Sequence, residues 1–332
     1  MTESSQGRAA GFHLPFVTRL LASIRHFLRE MSKNKIAFIA FWIVIFYILL
    51  AMIGPMIAPY GYRESHRSTT DCTTTASGRE ICSKIENSPP TLEHPLGTDR
   101  NGRDVLSRIL WGARETMGLP LVSAIFAVLV GSMIGLLAGY RGGWVDEAIS
   151  RTADILLAIP ALVLALVMMT GFVPIFNATE IGFLQQLDAT SVAIVLVVIF
   201  LYTPIVTRVI RSATVSLRSA GFIEAARLRG ESTYYILFRE ILPGVLPALV
   251  VEASLRFSYA IFLVASLGFL GLGVQPPSPE WGRMVLDAYK ANAISTAPWS
   301  LWAPAIAIAS LIISINLMAD GLRRILRYER DR

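Results

Sequence analysis

Six stretches of this 332-residue chain are too long and too apolar to settle anywhere but inside a lipid bilayer. About 20 apolar residues in a helix cross the hydrocarbon, and a helix satisfies its own backbone hydrogen bonds there. The stretches cover residues 36–57, 117–139, 153–173, 191–210, 244–270 and 300–322, with Pro160 expected to kink the third. Only 16% of residues are charged, against about 25% in soluble domains, and mean hydropathy is +0.55. The expected fold is all-α and integral to the membrane, with six transmembrane helices.

The segments between these spans give the organisation. Residues 1–35 form an N-terminal tail in which Phe16, Leu20, Ile24, Phe27 and Met31 share one face at helical spacing. Arg19, Arg25 and Arg29 lie opposite, which predicts an amphipathic elbow helix over 16–31 lying on the membrane surface. Residues 58–116 form a long polar loop, and 323–332 a short basic tail. Lys and Arg number six in 1–35, six in 208–243 and five in 322–332, against none in 174–190 and two in 271–299. The positive-inside rule therefore places both termini and the loop 213–243 in the cytoplasm. Loop 58–116 falls outside despite eight basic residues, because long loops obey the rule poorly. The formal charge of +6 reflects this asymmetry and does not imply a nucleic-acid partner. Gly131, Gly135 and Gly139 form a stripe that lets a neighbouring helix approach closely.

Residues 222–243, FIEAARLRGESTYYILFREILP, are polar although apolar spans lie on both sides. They read as two short helices. Ser219 can cap the first, and Gly230 ends it in the left-handed conformation that glycine takes without penalty. Ser232 or Thr233 can cap the second, which is expected to stop at Pro243.

The run Glu224-Ala225-Ala226, then Gly230, then Ile241-Leu242-Pro243 resembles the EAA loop of ABC-importer permeases. HPLGTDRNGRDVLSR at 94–108, FLGLGVQPPSPEWG at 269–282 and NLMADGLR at 316–323 are similar to segments of the dipeptide/oligopeptide/nickel branch. The resemblance implies a type I, MetI-like permease core of five spans over 117–322, preceded by one extra span. It also implies import of di- or oligopeptides, with nickel or another small solute as the alternative. The implied partners are a second homologous permease subunit, two cytoplasmic ATPase subunits that bind ATP and Mg, and an extracytoplasmic solute-binding protein. The implied location is a prokaryotic inner membrane. In that family the EAA loop docks on the ATPase, so this role transfers to Glu224, Ala225, Ala226 and Gly230.

No chemistry of its own is evident in the chain. It has no GxxxxGK[ST] phosphate loop, no HExxH and no GxSxG, and His13, His26, His66 and His94 all lie outside the spans. No catalytic group, metal or cofactor is expected, and energy must come from a partner. A secondary transporter working without ATP would show inverted repeats, and none is evident. Glu252 and Arg256 are spaced to pair along one helix face inside the fifth span, where they either line a polar pathway or serve structure alone. Cys72 and Cys82 share the loop 58–116, and an outside location favours a disulfide between them.

Overall fold

The computed structural model describes residues 29, 31–74, 80–177 and 188–330, with backbone alone at 67–74, 80–84, 176–177 and 326–330. The elbow helix expected over 16–31 therefore lies, for its greater part, outside the described residues.

Helix α1 spans Lys35–Ile57, capped by Asn34, whose side chain accepts from the Ala37 backbone N–H. Helix α2, Val105–Arg141, starts at Asp104, whose carboxylate accepts from Ser107 N at 2.7 Å. Helices α3 (Gly143–Leu157) and α4 (Ala161–Asn177) follow, and then α5 (Ala189–Arg218). A short α6 (Gly221–Leu228) leads into α7 (Thr233–Phe269). Short helices α8 (Trp281–Lys290) and α9 (Ala293–Thr296) precede the last, α10 (Pro298–Arg330). Among the described residues, α1, α2, α5, α7 and α10 are each long and apolar enough to cross a membrane, and α3 with α4 makes a sixth crossing if counted together.

Four features differ from expectation. Loop 58–116 carries a two-stranded antiparallel hairpin, β1 (Arg67–Thr74) with β2 (Glu80–Lys84), so the all-α description applies to the membrane part. Threonine-rich β1 suits a pleated strand better than a helix. Helix α2 begins well before residue 117, because Asp104 caps it and Val105 and Ala113 are buried against Trp281 and neighbouring helices. Residues 140–152, left between the second and third expected spans, are mostly helical, and α3 meets α4 at 89° where a single span kinked at Pro160 was expected. Pro160 has no N–H to carry a helix across the break. The fourth difference, at Pro243, belongs to the site below.

Buried apolar clusters hold the bundle. Ala127, Met169, Ile194, Val198 and Val264 join α2, α4, α5 and α7. Tyr47, Val105, Ile261, Trp281 and Leu311 bind α1, α2, α7, α8 and α10. The glycine stripe of α2 lies directly on α5. A Cβ at Gly131 would sit 2.7 Å from Val206 Cβ, at Gly135 2.7 Å from Thr207 O, and at Gly139 2.7 Å from Thr214 Cβ. Thr207 Oγ1 also donates to Gly131 O at 3.2 Å across this contact. Outward apolar side chains such as Trp42, Phe46, Ile125, Met133 and Phe262 are exposed, as a lipid-facing surface requires.

Candidate coupling surface and its supports

Helix α6 starts at Ala220 with no side-chain cap, and Ser219 instead closes α5. Glu224 in its first turn complements the positive end of the helix dipole. Gly230, at φ +77°, ends the turn, with Gly230 N bonded to Arg227 O and Glu231 N to Ala226 O. Ser232 Oγ then accepts from Tyr235 N at 3.2 Å and starts α7.

The second half does not stop at Pro243. Residues Ile236–Ile241 form a π-helical turn, and the Leu242 N–H bonds to Leu237 O. Pro243 follows directly on this π turn, at the start of the α-helical stretch that continues it. The chain thus runs from the polar knob into the membrane as one helix.

A third cluster pins the knob down. Ile223 and Ala226 are fully buried with Val206, Ile210, Ile236 and Ile241. Glu224, Ala225 and Gly230 are exposed, together with Phe222 and Leu228, the latter 85% exposed. The four residues singled out from the sequence therefore divide: Ala226 anchors the helix to its own subunit, and the other three face outward. Arg227 lies over the Tyr140 ring at 4.9 Å, tying α6 to the end of α2. Arg229 reaches Glu231 and Glu240, each at 3.6 Å. Asp146 takes a bidentate grip from Arg211, joining α3 to α5 nearby.

Glu252 and Arg256 pair within α7, Nε to Oε1 at 2.8 Å, and each residue is 6% exposed. The guanidinium also lies over Tyr259 at 5.0 Å and over Tyr202 of α5 at 5.5 Å, and Tyr202 OH donates to Tyr259 O. Both side chains are enclosed within the subunit.

At the other end, the segments 94–108 and 269–282 meet in space. Trp281 Nε1 donates to Ile109 O and Trp281 N to Thr116 Oγ1. His94 Nδ1 lies 3.0 Å from Asp104 Oδ1, and Asp99 takes Arg103 and Arg108, each at 2.8 Å. Buried Glu280 caps α8 by accepting from Gly282 N and Arg283 N. Burial pushes its carboxyl up to about 7, although those two backbone donors pull the other way. This polar assembly was not singled out from the sequence; only the four-residue spacings of Asp99 with Arg103 and Arg283 with Asp287 hinted at it. The backbone register sets Cys72 opposite Cys82, and their side chains lie outside the described residues.

Five long apolar helices and the bent pair α3–α4, packed about a glycine-lined contact and carrying an exposed EAA helix at one end, are the architecture of a type I ABC-importer permease subunit. Residues 131–328 match the family model of binding-protein-dependent transport system inner membrane components, and 24–90 match the N-terminal TM domain of oligopeptide transport permease C. The chain belongs to this family. It is 35% identical to the dipeptide transport system permease protein DppC of Alkalihalophilus pseudofirmus, over 90% of this chain and 88% of that protein. It is 34% identical to the di/tripeptide permease DppC of Pseudomonas aeruginosa, over 90% of each. Identity is 37% to the glutathione permease GsiD of Pectobacterium atrosepticum, over 71% of this chain and 73% of that one. A chain from the inward-facing MetNI methionine ABC transporter shares the fold at a TM-score of 0.50 and 23% identity, covering 67% of this chain and 95% of that one.

Proposed function

We propose that this chain forms half of the pathway through which an ATP-driven importer admits di- or oligopeptides, and that it takes its energy through α6. The carrying observation is the division of α6, where Ile223 and Ala226 are locked inward while Glu224, Ala225, Phe222 and Leu228 stand free at the root of α7. A small rigid helix with an apolar and acidic outer face suits a groove on another protein. In this reading that protein is one of two cytoplasmic ATPase subunits, which bind ATP and Mg and do all the hydrolysis. A push on α6 passes into the membrane through the continuous α7 and through the buried cluster against α5.

A second, homologous permease completes the pathway, and a solute-binding protein delivers peptide from outside. The excess of Lys and Arg at both ends and around α6 supports cytoplasmic termini in a prokaryotic inner membrane. Peptide is favoured over nickel because the relatives above are named for dipeptides, di/tripeptides and glutathione. Cysteine placed at Ala225 tests the docking. Cross-linking to a copurifying ATPase that changes with nucleotide supports it, and no ATPase in the purified complex overturns it.

A further inference from the structure

Helix α2 has 37 residues, about 55 Å at 1.5 Å per residue, and α6 packs near its C-terminus. Around its N-terminus, at the opposite end of the bundle, lies a cavity of about 370 Å³ walled by residues 99–108, α8 and the start of α10. Arg100, Arg103, Arg108 and Lys290 line it, against the carboxylates Asp99 and Asp287.

The charges do not balance. Arg103 and Arg108 are 7% and 2% exposed, yet share Asp99 at 2.8 Å each. Asp287 is held by Arg283 at 3.0 Å and is only 3.8 Å from Arg103. Glu280 is occupied by two backbone N–H groups. Arg108 places Nη2 on Ser278 O at 3.3 Å, and its Nε is buried without a partner. Buried guanidinium groups that must share too few carboxylates are costly, and a further carboxylate is the group that offsets them. The volume is within the range of small-ligand pockets.

We propose that this cavity receives a carboxylate at the outer end of the permease. Buried Arg103 and Arg108 form its floor, and exposed Arg100 and Lys290 its rim. The inference rests on the importer reading only for the source of that group, which is either the solute's own carboxylate or an acidic side chain of the delivering protein.

The test uses the purified full chain with its copurifying subunits, titrated calorimetrically with alanyl-alanine and with alanyl-alaninamide. The acid is expected to bind about tenfold more tightly or better, the equivalent of one lost charge-assisted hydrogen bond. The rim variant Arg100→Gln/Lys290→Gln should weaken acid binding severalfold at an unchanged melting temperature. Equal binding of acid and amide, or no binding of the acid at millimolar concentration, overturns the proposal.

Uptake into proteoliposomes then separates the sources. A rim variant that slows alanyl-alanine but not the amide assigns the site to the solute. One that slows both, and weakens attachment of unloaded delivering protein, assigns it to that protein. Unchanged uptake and attachment overturn the proposal and leave the importer reading intact. Absent ATP-driven uptake by the unaltered complex defeats the importer reading and leaves the titration standing.

Discussion

Removing one partner of the Glu252–Arg256 pair is expected to destabilise the subunit more than removing both. The two residues are each 6% exposed and 2.8 Å apart, so neither lone charge reaches water. Breaking a buried pair by deleting one member costs about 3–5 kcal/mol, while replacing both with apolar groups of similar volume is often neutral. The two singles should not be equal. Glu252→Gln leaves the guanidinium over Tyr259 and Tyr202, where cation–π contact retains about 1–2 kcal/mol. Arg256→Met forfeits that contact and leaves the carboxylate without its partner. The double variant Glu252→Gln/Arg256→Met should recover about 2 kcal/mol or more relative to the sum of the singles. Unfolding of the purified chain in mixed micelles against denaturing detergent gives the four free energies. Additivity within about 0.5 kcal/mol refutes the coupling. Cysteine at 252 that reacts readily with an aqueous thiol reagent contradicts the enclosure.

Three further outcomes follow from the same geometry. Glu280 has its carboxyl raised from 4.5 to about 7, so the folded state holds the proton more tightly than the unfolded one. Its stability contribution is full below about pH 4.5 and is lost as pH rises through 7, by about 3 kcal/mol in all; Glu280→Gln should flatten that slope in pH-dependent melting, and an unaltered slope counts against it. Gly230 sits at φ +77° with open space where a Cβ would go, so Gly230→Val pays only for backbone, about 1–2 kcal/mol. The variant should insert and melt almost normally yet fail in uptake, and Gly230→Asn, which tolerates this conformation, should restore it. Cys72 and Cys82 face each other in the β1–β2 register, which places their Cα atoms about 4.5–5.5 Å apart, within disulfide range. Non-reducing mass spectrometry should find them linked, with a stabilisation of about 2–3 kcal/mol from the short loop closed; complete alkylation without reductant excludes the bridge.

The spans were legible because a bilayer imposes length and hydropathy on each segment independently of the others. The glycine stripe of α2 was legible for a related reason: four-residue spacing puts the three glycines on one helix face, and α5 fills it. Gly230 and Ser232 carried their roles in local backbone chemistry, visible without a fold. What escaped depends on partners distant in sequence. Nothing near Ala226 says that it turns inward against Ile210 and Ile236 while Ala225 turns out. The passage through Pro243 needed a π turn whose register no propensity encodes. A kink was expected at Pro160 within one span, whereas the chain breaks there into two helices at 89°. The arginine–aspartate assembly draws on Asp99, Arg108, Arg283 and Asp287, brought together only when the segment before α2 and helix α8 fold against each other.

Under the proposed function, this permease is expected to work only when an ATPase pushes on α6. Proteoliposomes containing the chain, its sister permease and both ATPase subunits, with the solute-binding protein on the opposite side of the membrane from the ATPases, measure it directly. Labelled dipeptide should enter only with ATP, and Glu224→Lys should abolish entry while the chain remains inserted and assembled. Entry driven by an ion gradient without ATP, or undiminished entry in the Glu224→Lys complex, would contradict the account.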